Sequence, residues 1–161
     1  MSLRLKVEKS DFVIEVFVGD KKEVIDIRTA MKINNEDLVT EYTNQPSFYA
    51  WYAALLADQE DKRDRKKRER EEYRSRLDLQ IRQGAVKILD SNGVAIKLTE
   101  GGIQNYINND ERMQAFEDAV QDMEAICSKI RVLVLSSIQR KDMLIQLGLI
   151  KRQEMSQLKL N

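Results

Sequence analysis

A chain of 161 residues, 42% of them hydrophobic, can build one modest core, and 34% charged residues with a single proline fit long charged helices rather than a disordered chain. Lysine plus arginine equals aspartate plus glutamate at 27 each, which excludes attraction to polyanions through net charge and leaves only its uneven distribution. The lack of histidine and a lone Cys127 exclude imidazole chemistry and an internal disulfide, and they fit a reducing compartment.

Residues 3–27 alternate apolar and polar side chains through Leu3, Leu5, Val7, Phe12, Ile14, Val16, Val18, Ile25 and Ile27. Successive strand residues point to opposite faces, so this pattern predicts two or three short strands in an N-terminal ribbon spanning 1–30. Turns are expected at 8–11 and 19–22, the latter opening with Gly19-Asp20. A ribbon of this size is marginal alone and must pack either on its own chain or on a neighbouring subunit. A helical domain is expected over 31–161.

Residues 34–37 offer N-caps for a short helix through Leu38 and Tyr42, and 44–47 predict its end. Pro46 suits the first turn of a second helix from about Ser47 to Gln83, closed by Gly84. In that helix Phe48, Trp51, Tyr52, Leu55 and Leu56 form an apolar stripe. Tyr73 interrupts a long polar stretch, and Leu77 and Ile81 resume the stripe. Asn92-Gly93, between Val86 and Leu98, predicts a β-hairpin. Thr99 caps a short helix with Ile103, Tyr106 and Ile107, and Asn109 or Asp110 caps the last long helix. The expected fold is mainly α: two long helices with short connecting helices, a small N-terminal β ribbon and a short β-hairpin between the long helices.

In the last helix Phe116, Val120, Met123, Cys127, Ile130, Val134 and Ser137 recur at steps of four and three, a heptad seam, while Leu133 lies on a second seam with Ala119 and Ile126. Such a seam can serve as intramolecular core. Between Ile130 and Ile138, however, the helix is apolar nearly all round, which predicts burial on several sides. Homo-oligomerisation is therefore expected through Phe116, Val120, Met123, Cys127, Ile130, Leu133 and Val134. Gly148 is expected to end the helix ahead of a short basic tail. The run from Ile130 to Ile138 is too short to span a bilayer, and no signal peptide is read, so a cytoplasmic protein off the membrane is expected.

Charge is polarised along the chain. Residues 62–76 hold nine basic and four acidic side chains, and 99–124 hold seven acids against Arg112 alone. Lys62, Lys66, Arg70 and Arg74, spaced by four, line one flank of the helix, and with Lys67 they could form a phosphate-binding ridge with Tyr73 available for stacking. Alternatively, Asp58 with Lys62, Asp61 with Arg65 and Asp64 with Arg68 form i,i+4 pairs, and the helix is only solvated. Catalytic chemistry is not expected. Cys127 has no base beside it, no metal-ligand spacing occurs, Gly101-Gly102 lacks the rest of a phosphate-binding loop, and no cofactor is implied.

The Trp51-containing aromatic helix, the charged stretch leading to Arg74-Ser75-Arg76-Leu77-Asp78, and the apolar C-terminal helix with basic residues at Arg140 and Lys141 resemble the UvsY-type recombination mediators of tailed phages, over roughly residues 35–155. The resemblance implies a ring-like homo-oligomer held by C-terminal helices. It also implies sequence-independent binding of single-stranded DNA, and help in loading a RecA-like recombinase onto strands covered by single-strand-binding protein, in the host cytoplasm. The basic-x-basic pair would place Arg74 and Arg76 on the DNA-binding surface, flanked on charge grounds by Lys66, Lys67 and Arg70. The N-terminal ribbon and the hairpin depart from that family's pattern. The rival expectation is an oligomeric phage scaffold or chaperone that binds no nucleic acid.

Overall fold

The computed structural model describes residues 12–86, 89 and 98–158. Strands β1 (Val13–Val18) and β2 (Lys21–Asp26) precede helices α1 (Ile27–Ala30), α2 (Leu38–Arg82), α3 (Glu100–Asn108) and α4 (Glu111–Leu158). The fold is mainly helical, with one two-stranded antiparallel sheet and two long helices, as the periodicities predict. The strand expected around Leu3 to Val7, and almost all of the hairpin expected between Val86 and Leu98, lie outside the described residues. The chain divides into two compact units, one holding the residues up to Gln59 and from Ile126 onward, the other Glu60–Ala125.

In the first unit β1 and β2 pair in register from Val13↔Asp26 to Val18↔Lys21, around a turn whose Gly19 has φ +60°. Glycine at the first central position is what a type II′ hairpin turn requires, and its twist matches that of the flanking strands. Ile14, Val16 and Ile25 face inward and cluster with Ile27, Tyr52, Leu55, Ile130 and Leu133. The ribbon thus rests on α2 and α4 of its own chain and forms no unit of its own bounded at residue 30. Asp26 ends β2 and caps α1, its carboxylate accepting from the Arg28 N–H at 2.9 Å.

Two expected helix ends are absent. Pro46 lies inside α2, so the two helices expected on either side of it are one. An interior proline removes an i→i−4 hydrogen bond at a cost of about 3 kcal/mol or more. Contacts around it offset that loss. The Tyr42 hydroxyl donates to the Leu144 carbonyl, Gln45 Nε2 donates to the Ser137 carbonyl at 2.7 Å, and the Phe48 and Tyr52 rings meet edge-on at 4.6 Å. Gly148 likewise leaves α4 uninterrupted to Leu158. Its purpose is close approach: a Cβ at 148 would stand 2.7 Å from Tyr42 Oη.

In the second unit α2 closes with a Schellman pair. Gly84 has φ +72°, its N–H donates to the Ile81 carbonyl, and the Ala85 N–H donates to that of Gln80, each at 3.0 Å. Thr99 caps α3 through the Gly102 N–H at 3.3 Å, and Asp110 caps α4 through the Met113 N–H at 2.9 Å. Leu77, Ile81, Ile103, Ile107 and Met113 make a small core with Tyr73, Val86 and Leu98 at its margin. From Glu60 to Glu72, α2 carries no apolar side chain. The only hydrocarbon this segment can lay on α4 is the aliphatic stems of its lysines and arginines.

Candidate nucleic-acid interface

The basic segment of α2 is held beside the acidic start of α4 within the second unit. Lys67 Nζ meets Glu124 Oε1 at 2.6 Å. Arg70 bridges Glu71 at 2.7 Å and Glu117 at 3.1 Å, and Arg74 donates to Gln104 Oε1 at 2.7 Å. Lys66 pairs with Glu69 at 2.7 Å, and Arg65 with Asp61 at 2.7 Å as one of the anticipated i,i+4 pairs. Lys67 is the main reason the Glu124 carboxyl sits below its ordinary range, through its hydrogen bond and its charge. Glu71 first and Glu117 second hold the Arg70 guanidinium above its ordinary value. The charge segregation of the sequence is therefore largely matched across this unit. Of the five residues expected on a phosphate surface, Lys66, Lys67, Arg70 and Arg74 are engaged. Arg76 alone is exposed with no ion pair or hydrogen bond among the described residues.

Next to Arg76 the two helices leave a groove of about 550 Å³. Its floor includes the Tyr73 and Phe116 rings, 5.4 Å apart and tilted by 40°. Tyr73 is clamped in place by a 2.9 Å hydrogen bond from its hydroxyl to Asp110 Oδ1. Burial first, then that carboxylate, raises its phenol above the ordinary value. Arg112 lines the same groove and, like Arg76, has no ion pair among the described residues. Reading by spacing assigned Phe116 to an oligomer seam and gave Arg112 no role. Its position four residues before Phe116, one turn along the same face, was the available signal.

The residues expected to join subunits are mostly consumed inside the chain. Cys127, Ile130 and Leu133 have no exposed surface and Val120 is 3% exposed, while Phe116, Met123 and Val134 are half-buried. Ile130 and Leu133 belong to the core beneath the ribbon, which is why a second copy is not needed to cover them. What remains uncovered is the other side of α4, where Val132 (54% exposed), Leu135 (60%), Ile138, Met143, Ile145 and Ile150 stand in the open. The helix that is apolar nearly all round thus resolves into a core-facing stripe and an outward one.

Arg140, expected in a basic segment, is instead buried in the first unit at 6% exposure. Its Nη1 donates to Gln45 Oε1 at 2.5 Å, and its Nη2 donates to the Lys32 carbonyl at 3.1 Å and to the Glu41 carboxylate. The Phe48 ring lies under the guanidinium at 4.9 Å. The Asn34 N–H donates to Glu41 at 2.9 Å and is the leading cause of that carboxyl's lowered pKa, with Arg140 adding to it. Arg140 lies one heptad after Leu133 on the second seam and Leu144 one heptad after Ser137 on the first, so register alone pointed inward.

Comparison with protein-family profiles, with curated proteins and with solved structures finds no match to this chain. Among the described residues no helix is long and apolar enough to cross a membrane.

Proposed function

We propose that this protein is a non-catalytic, self-assembling binder of single-stranded DNA that acts as a recombination mediator, presenting the strand for loading of a RecA-like recombinase in place of single-strand-binding protein. The observation that carries the reading is Arg76. It is the second basic residue of the Arg74-Ser75-Arg76-Leu77-Asp78 run that resembles the mediator family, and among the described residues it stands exposed without a carboxylate while Lys66, Lys67 and Arg70 are paired. The pairs beside it are surface pairs, with Lys66 46% and Lys67 39% exposed, and surface pairs are weak enough to exchange a carboxylate for a phosphate. Self-association is supported by the outward apolar stripe of α4, in place of the buried heptad seam. Copies joined there would array many weak phosphate contacts and so act with far higher avidity than one chain.

Fluorescence anisotropy of a labelled oligo-dT against rising salt tests the reading. Each phosphate contact on a single strand contributes about −0.7 to the slope of log affinity on log salt, so Arg76→Ala is expected to weaken binding several-fold and to make the slope shallower by about that amount. Binding that ignores both salt and Arg76 would sink it. The rival reading, an assembly protein such as a scaffold or chaperone without nucleic acid, is favoured by the pairing of Lys67, Arg70 and Arg74 within the chain. It requires that no strand bind even at low salt.

A further inference from the structure

We infer that the groove between α2 and α4 in the second unit is a base-stacking site, in which a nucleobase of a single strand lies against the Tyr73–Phe116 pair while its flanking phosphates meet Arg76 and Arg112. This rests on the strand-binding reading above and adds to it the part of the strand that is recognised, the base as well as the backbone.

Rigidity is the first argument. Both rings are partly exposed, and Tyr73 is fixed at its far end by Asp110, the same carboxylate that caps α4. Stacking then costs little side-chain entropy, because the platform is ordered before the base arrives.

Charge is the second. The groove is lined by three basic and two acidic residues. Lys66 is matched by Glu69, and Glu72 subtracts from the remainder, leaving a surplus of one positive charge contributed by Arg76 and Arg112. Those two come from different helices at one end of the groove and Lys66 lies at the other, so a strand that follows the groove from one end to the other passes the aromatic pair.

Spacing is the third. Lys66, Tyr73 and Arg76 share one side of α2, and ten residues of helix span about 15 Å, room for a short run of nucleotides. Every base has a π-face, so such a site accepts any sequence. Arginines lining the same groove would add cation–π attraction to a base bound there.

The test compares two probes on the intact protein at fixed salt: an oligo-dT of about 15 nucleotides, within the usual span of such sites, and an abasic deoxyribose-phosphate oligomer of the same length. The native chain is expected to bind oligo-dT at least about fivefold more tightly than the abasic strand. Phe116→Leu, which keeps the apolar bulk, is expected to erase that preference while leaving abasic binding and its salt slope unchanged. Tyr73→Phe, which keeps the ring, is expected to retain it. Should Phe116→Leu prove poorly folded, Phe116→Trp in a Trp51→Phe background gives a direct signal, its fluorescence quenched by oligo-dT and not by the abasic strand. Equal affinity of the native chain for both probes would overturn the stacking site and leave backbone binding standing. Binding of neither probe would overturn both.

Discussion

The two units use the same pair of long helices and hold them together by different means. In the first, Tyr52, Leu55, Ile130 and Leu133 form a core under the ribbon, and a buried charge, Arg140, is met by Glu41, Gln45 and a backbone carbonyl. In the second, an apolar cluster around Ile107 and Met113 gives way to a stretch of α2 with no apolar side chain, joined to α4 by Lys67–Glu124 and Arg70–Glu117. Apolar burial scales with area and is indifferent to moderate salt, whereas exposed ion pairs are screened within about 10 Å at ordinary ionic strength. The first unit is therefore built to keep its partners. The second joins part of α2 to α4 through exposed pairs that ionic strength weakens, the kind of contact the proposed strand binding would have to exchange.

The largest effect should come from the buried arginine. Removing one partner of a buried ion pair typically costs about 3–5 kcal/mol, since the other charge is stranded, so Arg140→Ala is expected to lower stability by that much in urea unfolding. Ile130→Ala should follow at about 2–5 kcal/mol, by loss of transfer free energy and the cavity left behind. If instead Arg70→Ala, at the surface of the second unit, proves as damaging as either, the contrast between the units is wrong. Acid gives a gentler probe of the same buried site. Glu41 has a pKa below its ordinary 4.5 in the folded chain, so its contribution is fully present above that value and is lost as pH falls through the lower folded value. Unfolding of the native chain should become easier in that range, and Glu41→Gln should remove that part of the pH dependence.

How much of this was legible in one dimension follows the kind of force involved. Alternation located β1 and β2, Thr99 and the Asn109-Asp110 pair announced their helices, with Asp110 the residue that caps, and Gly84 marked the end of α2, because each is a local requirement of backbone geometry. Pro46 and Gly148 misled for the complementary reason. Both are helix breakers locally, and both are overruled by what lies opposite: Tyr42 meets α4 at Leu144 and crowds Gly148, contacts separated by a hundred residues of chain. The seam of α4 was visible as a period, yet a period does not say whether its partner is the same chain or another. Nor could net charge show that the basic stretch of α2 and the acidic stretch of α4 are neighbours. Arg76 and Arg112 became distinctive only after the pairings of the other cations were known.

The smallest stability effect, and the most informative, concerns the carboxylates opposite the basic segment. Glu117 and Glu124 satisfy Arg70 and Lys67 at the cost of masking them from phosphate. Replacing both with glutamine removes charge while keeping shape and hydrogen-bonding capacity. Stability should change little, because all four side chains are partly exposed and such pairs are weak, and the small loss should vanish at high salt. Affinity for oligo-dT should move the other way and rise several-fold at low salt, and the salt slope should steepen by about 0.7 for each cation that gains a phosphate. A charge reversal, Lys67→Glu, should lower both stability and affinity, and Glu124→Lys in the same chain should restore the stability without restoring native strand binding. That split is the discriminating result. A merely solvated helix would show the change in stability with no strand binding in any variant, whereas a surface on which carboxylate and phosphate compete for the same cations must separate the two readouts.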